Sequence, residues 1–193
     1  MAVDSLLSAA ERVFAERGAD VSLRDIAIAA GQRNNSAVNY YFGDRQGLID
    51  AVVRRRLAAV EGSATRLLEA AETKDNRHLT GILVGALLEA TEQQGATHYF
   101  RFLEVMRHQV KIWPADEGSS WSTITQNLSE QLSEGTAYER SSRISSMATT
   151  LFALLADYER SKDGEGVLAS LGPTPAQIVE MVVALLQAPM HPR

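Results

Sequence analysis

SLRDIAIAAGQRNNSAVNYYFGDRQGL, residues 22–48, reads as a short apolar helix, a polar turn, a second short helix crowded with hydrogen-bonding side chains, and the start of a further helix. Ser22 followed by Asp25 resembles a capping box with Asp in place of Glu. Leu23, Ile26 and Ala27 fall on one face, and Gly31 ends the first helix. The second helix runs from about residue 36 to 42. Val38 and Phe42 are four apart and share its inner face, which leaves Ser36, Asn39, Tyr40 and Gly43 opposite. Gly43 breaks it and Asp44 caps the next helix. Two short helices joined by a tight turn make a helix-turn-helix, whose second helix fits a DNA major groove.

The polar side chains of this segment suit that partner. Arg33, Asn34 and Asn35 stand in the turn before the second helix, where Asn can bond adenine bidentately and Arg can bond guanine. Ser36, Tyr40 and the helix N-terminus suit phosphate. The same residues also fit a surface turn followed by an aromatic packing helix. Charge adds a small weight. Residues 22–56 hold six arginines (24, 33, 45, 54, 55, 56) against three acids (25, 44, 50), a local +3, which leaves −8 for the rest of a chain of net charge −5. A locally basic module on an acidic body suits a DNA reader and argues against a protein that coats nucleic acid along its whole length. Arg54, Arg55 and Arg56 point 100° apart on a helix, so a solvated face fits them, with one residue near DNA or near a head–body seam.

Working outward, the chain reads as all-α, about nine helices, with no long period-two run. A first helix over residues 3–17 carries Leu6, Ala10, Val13 and Phe14 as a stripe and stops at Gly18. A fourth, over residues 45–72, spans roughly 40 Å and could tie a small head to a larger body. Further helices are expected over 78–94, 97–112, 121–133, 137–162 and 175–187. Thr136 with Glu139 reads as a capping box. Thr174-Pro175-Ala176-Gln177 supplies an N-cap, a proline at N1 and an acceptor at N3. The expected division is a three-helix head over 1–46 and a helical body over 47–193.

Composition excludes several classes. The 193 residues include no cysteine, so disulfides and thiolate metal sites are absent. The four histidines (78, 98, 108, 191) miss helical metal-ligand spacing, no HExxH, GxSxG or phosphate-cradling loop occurs, and neither a metal, a cofactor nor catalysis is expected. No secretory signal or membrane-length apolar run is visible, which points to a cytoplasmic protein with no membrane partner.

AERVFAERG, SLRDIAIAAG and SAVNYYFGDRQGLIDAVV together resemble the N-terminal domain of the TetR (tetracycline repressor-like) family. The matching elements are Phe14 and Gly18, Ser22, Ile26-Ala27, Ala30-Gly31, Tyr41-Phe42, Arg45 and Leu48, in order, over about residues 6–53. The resemblance implies a homodimeric, ligand-responsive transcriptional regulator, most simply a repressor on a palindromic operator. It implies DNA contacts from Ser22, Arg24, Arg33, Asn34, Asn35, Ser36, Asn39, Tyr40, Tyr41 and Arg45, with Arg45 on the phosphate backbone where the family often has Lys. Two differences stand out: the 31–42 segment is one residue long for the family, and Asn39 stands where a Tyr is common.

For the body, the resemblance implies a small-molecule effector among His98, Tyr99, Phe102, Leu103, Met106, Trp113, Trp121, Ile124, Leu128, Met147 and Leu151, a set that plain packing would also explain. The last helix is apolar nearly all round, so it is buried on more than one side. Either the chain's own core or a second subunit covers it. The family's pairing of its last two helices implies a dimer interface of Ile144, Met147, Leu151, Leu155, Tyr158, Ile178, Met181, Val182 and Leu185. The rival reading is a small-molecule- or protein-binding helical module with a vestigial head.

Overall fold

The computed structural model describes residues 2–32, 34, 36–93, 98–110, 118–164 and 171–189. Among them nine helices follow in order: α1 (Ala2–Arg17), α2 (Leu23–Ala29), α3 (Ala37–Phe42), α4 (Arg45–Glu69), α5 (Asn76–Gln93), α6 (Tyr99–Met106), α7 (Ser120–Glu130), α8 (Ala137–Lys162) and α9 (Pro175–Gln187). The described residues hold no strand.

Helices α1 to α3 fold around Leu6, Ala10, Val13, Phe14, Ile26 and Val38, all without exposed surface. Helix α4 passes under them through Leu48, Ile49, Val52 and Val53 and then packs along α5. Helix α6 lies between α1 and α8, and α9 closes the far side against α5 and α8. One continuous apolar core runs through head and body.

The expected starts of α8 and α9 hold. Thr136 and Glu139 form a reciprocal capping box, as do Thr174 and Gln177. Several boundaries differ from the sequence reading, α4 among them, which ends at Glu69 instead of residue 72. Helix α5 begins at Asn76, two residues early, because the Asp75 carboxylate accepts the His78 N–H at 2.9 Å. Helix α7 stops at Glu130 and turns Leu132 into the core. Helix α6 ends at Met106 instead of residue 112. Its last carbonyl takes both the Gln109 and Val110 N–H groups at 2.7 and 3.0 Å, and the Gln109 carbonyl is held by Gln46 Nε2 of α4 at 2.9 Å.

Several charged side chains distant in sequence help to close helix ends. Glu159 of α8 accepts the Phe100 and Arg101 N–H groups at the start of α6 at 3.3 and 3.1 Å, and the Arg101 Nε–H at 3.2 Å. Burial holds this carboxyl above the ordinary carboxylate range in spite of those donors. Glu61 of α4 accepts the Ser120 N–H at the start of α7. Arg143 of α8 donates to the Leu185 and Ala188 carbonyls at the end of α9, at 2.8 and 2.6 Å. Each satisfies terminal backbone groups that a helix leaves unpaired.

Candidate nucleic-acid interface

Helix α2 begins at Ser22, whose Oγ accepts the Asp25 N–H at 3.1 Å and donates to Asp25 Oδ2 at 2.7 Å. The box is therefore half formed: Asp is one methylene too short to reach back to the Ser22 backbone and takes the hydroxyl instead. The helix ends in a Schellman turn. Gln32 N–H bonds the Ala27 carbonyl and Gly31 N–H the Ile28 carbonyl, both at 2.9 Å. Gly31 has φ 70°, which glycine adopts without strain. Asn34 Oδ1 then accepts the Ser36 N–H at 2.9 Å, an Asx turn that aims the chain into α3.

Helix α3 presents two unlike faces. Ala37 and Val38 are buried and Phe42 is half-buried against the core. Ser36, Asn39, Tyr40 and Tyr41 are exposed, Tyr40 by 80%. The Tyr40 and Tyr41 rings meet edge to face at 4.9 Å. A tyrosine this exposed contributes little to packing, which leaves its ring and hydroxyl open to a partner. Arg24, on α2, is exposed as well. Arg33 and Asn35 lie outside the described residues.

The turn from α3 to α4 is tighter than the sequence reading recognised. Gly47 donates its N–H to the Asp44 carboxylate at 2.8 Å, and a Cβ there would stand 2.0 Å from the Phe42 carbonyl oxygen. Only glycine lets that carbonyl approach, so Gly47 helps set the angle at which α3 leaves the body.

Arg45 is placed differently from the sequence expectation. Its Nη1 donates to the Ala19 carbonyl at 2.7 Å, its Nη2 to the Val21 carbonyl, and its guanidinium lies 5.5 Å from the Phe14 ring centroid. The residue expected on DNA phosphate is turned inward, where it braces the loop between α1 and α2. The physical reason is local: that loop offers two carbonyls with no helical partner, and a guanidinium fork satisfies both.

Between α1 and α4 sits a buried ion pair. Arg56 of α4 meets Glu11 of α1 at 2.8 Å, with the side chains 3% and 5% exposed. The Arg56 guanidinium lies 5.5 Å from the Tyr99 ring of α6. Tyr99 stacks beside Phe102, and Phe102 meets Phe14 at 6.0 Å. Burial pushes the Tyr99 phenol far above its ordinary value. Of the three consecutive arginines, Arg56 is thus the one at the seam; Arg55 bonds Ser8 Oγ at 2.9 Å and Arg54 is exposed.

Residues 6–52 match the family model for bacterial regulatory proteins of the tetR family. This quarter of the chain carries the N-terminal domain of the tetR family. The match falls on α1 to α3 and the first part of α4, the elements that hold the exposed face of α3. Over its whole length the chain is also similar to the crystal structure of a candidate transcriptional regulator from Rhodococcus sp. RHA1, at 20% identity and a TM-score of 0.45, covering 98% of this chain and 97% of that one. A likeness this loose bears no weight on the arrangement of the helices. No curated protein matches the sequence.

Beyond the matched segment, the residues expected around a ligand divide. Tyr99 and Phe102 belong to the seam with the head. His98 stands beside Glu16 of α1, Nε2 to Oε1 3.6 Å. Met106, Ile124, Leu128, Met147 and Leu151 have no exposed surface and pack as core. Trp121 is buried and stacks on Phe152 at 6.1 Å. Leu103 borders an open groove, about 220 Å³ between α6 and α8, together with Glu104, Arg107, Val110, Ser145, Ala148, Thr149, Phe152 and Ala153; His98 borders a separate cleft between α1 and α4. Trp113 lies outside the described residues.

The expected interface residues divide in the same way. Met147, Leu151, Leu155, Ile178 and Val182 are fully buried in the chain's own core, so their contacts are already made. Helical periodicity marks burial but not which surface does the burying. Met181, 42% exposed, and the half-buried Ile144, Tyr158 and Leu185 keep surface that another chain could cover. Among the described residues no cluster of His, Asp and Glu could hold a metal, and no helix is long and apolar enough to cross a membrane.

Proposed function

We propose that the chain is a tetR-family repressor that binds a palindromic operator as a homodimer and is released by a small hydrophobic effector. The observation that carries the reading is the division of α3: Val38 is sealed in the head, while Asn39, Tyr40 and Tyr41 stand clear of it. Together with Ser36, the free amide of Asn34 and the neighbouring Arg33 and Asn35 of the sequence, they offer both base-edge and phosphate chemistry. The head, residues 1–46, would read DNA, and the body, 47–193, would pair the two chains and take the effector. A twofold dimer would set two α3 helices about 34 Å apart, one DNA turn, or a little more.

The seam supports a coupled mechanism. Helix α6 touches the head through Phe102 and Tyr99 on one side and borders the groove with α8 through Leu103 on the other. An effector that shifts α6 would disturb α1 and α4 directly, and DNA and effector would weaken each other's binding by the same factor. The chain would act by binding rather than catalysis, in the cytoplasm where the operator lies.

A gel shift on the DNA flanking the chain's own gene tests this. A specific band at moderate salt supports the reading. A folded dimer that gives no band would overturn it in favour of a module that binds protein or small molecules.

A further inference from the structure

The groove between α6 and α8 is apolar along its length and lopsided in its polar chemistry. Its walls are Leu103, Val110, Ala148, Phe152 and Ala153. Of the polar groups at its edge, two are occupied. Glu104 is held by Arg160, which also bonds Asp157 at 2.8 Å. The Thr149 hydroxyl donates to its own helix, to the Ser145 carbonyl at 3.1 Å. Two are not: the exposed Ser145 hydroxyl and the Arg107 guanidinium. Arg107 Nε–H donates to His108 Nε2 at 2.9 Å, and among the described residues no carboxylate lies within ion-pair reach of it. The charge left open at the rim is therefore cationic, the two terminal nitrogens of one guanidinium. A guanidinium fork matches a carboxylate with two parallel bonds. The groove is smaller than the roughly 300 Å³ at which drug-sized pockets begin, so it suits a compact molecule.

We propose that the groove between α6 and α8 takes a compact amphipathic carboxylate, its acid group on Arg107 and its hydrocarbon along Val110, Ala148 and Phe152. This rests on the regulator reading above and gives its effector a chemical class. The hydrocarbon supplies affinity by burial, and Arg107 selects acids over alcohols and amines of the same length.

Titration calorimetry on the full chain without DNA tests the proposal with octanoate, 1-octanol and octylamine as probes. Octanoate is expected to bind saturably at one site per chain, octanol about tenfold more weakly and octylamine not measurably. Arg107→Gln changes an exposed side chain and should keep the fold. It is expected to weaken octanoate about tenfold and leave octanol unchanged. Ala153→Leu narrows the groove and should weaken octanoate and octanol together. Absence of saturable octanoate binding, or octanoate binding unchanged in Arg107→Gln, would overturn the acid site. The gel shift is a separate readout. A chain that shifts its operator but ignores octanoate sinks the acid site and leaves the regulator reading standing, and the reverse result sinks the regulator reading and leaves the acid site.

Discussion

Glu11 and Arg56 form a buried ion pair that ties the first helix of the head to the long helix entering the body. Arg56 Nη2 lies 2.8 and 3.1 Å from the two Glu11 oxygens, with Nε at 3.3 Å. Two charges out of water are tolerable only because each satisfies the other. Removing either partner strands a buried charge. Glu11→Ala and Arg56→Ala are each expected to lower unfolding free energy by about 3–5 kcal/mol in urea titration. The joint change Glu11→Leu with Arg56→Met should cost less than either single one. A double variant as unstable as the sum of the two would mean that the side chains act independently and would overturn the pairing account.

Arg45 holds the Ala19 and Val21 carbonyls through two separate nitrogens of one planar fork, a geometry that the single nitrogen of an ammonium group does not reproduce. Arg45→Lys should therefore destabilise the head by about 1–2 kcal/mol. Amide exchange should quicken around residues 19–23, whether or not DNA is present. If Arg45→Lys left exchange unchanged and altered only DNA affinity, the side chain would serve phosphate, as the family resemblance implies.

These two arginines mark the edge of what the sequence made legible. The caps at Thr136 and Thr174 lie within four residues of what they bond, so the starts of α8 and α9 could be read directly. The inner face of α3 followed from a spacing of four. Glu11 and Arg56 are 45 residues apart, and no local pattern pairs them. Tyr99 and Phe102 were expected at a ligand because an aromatic cluster reads alike as pocket or as core; only the fold shows them against Phe14 and Arg56. Met147, Leu151 and Val182 carry the same ambiguity between a chain's own core and a partner's surface.

Tyr40 and Val38 sit two residues apart with opposite surroundings, and their variants should separate cleanly. Tyr40→Ala removes a side chain that is 80% exposed and is expected to change stability by no more than about 0.5 kcal/mol. Operator affinity should fall about tenfold in a gel shift. Val38→Ala opens a cavity under α3 and should cost about 1–3 kcal/mol in a thermal or urea melt. Full operator affinity in Tyr40→Ala would remove the outer face of α3 from the interface.

His98 gives the seam a pH dependence. Burial, and after it the Arg101 charge, holds its pKa below the ordinary imidazole value, against the opposing pull of Glu16, Asp163 and Glu11. A lowered histidine pKa means that the unfolded chain binds the proton more readily. Stability should therefore rise with pH from the lowered folded value up to the ordinary value of about 6.5, and be lost as pH falls through that window. His98→Gln should flatten the dependence of the melting temperature between about pH 5 and 7. An unchanged slope in that variant would assign the dependence to another group.

Met181 and Val182 adjoin on α9, yet Met181 is 42% exposed and Val182 is sealed in the core. If α9 pairs with a second copy of the chain, Met181 is the residue that reaches it. A charge there would have to be desolvated against the partner, with no counter-ion placed for it. Met181→Glu is expected to convert the dimer to a monomer in sedimentation velocity while leaving the helical circular-dichroism signal and the fold intact. Operator affinity should fall with it, by about 10²–10⁴-fold, because two heads no longer engage two half-sites together. Val182→Ala should do the reverse, lowering stability by about 1–3 kcal/mol with the dimer retained. A Met181→Glu chain that still sediments as a dimer would move the interface off the outer face of α9.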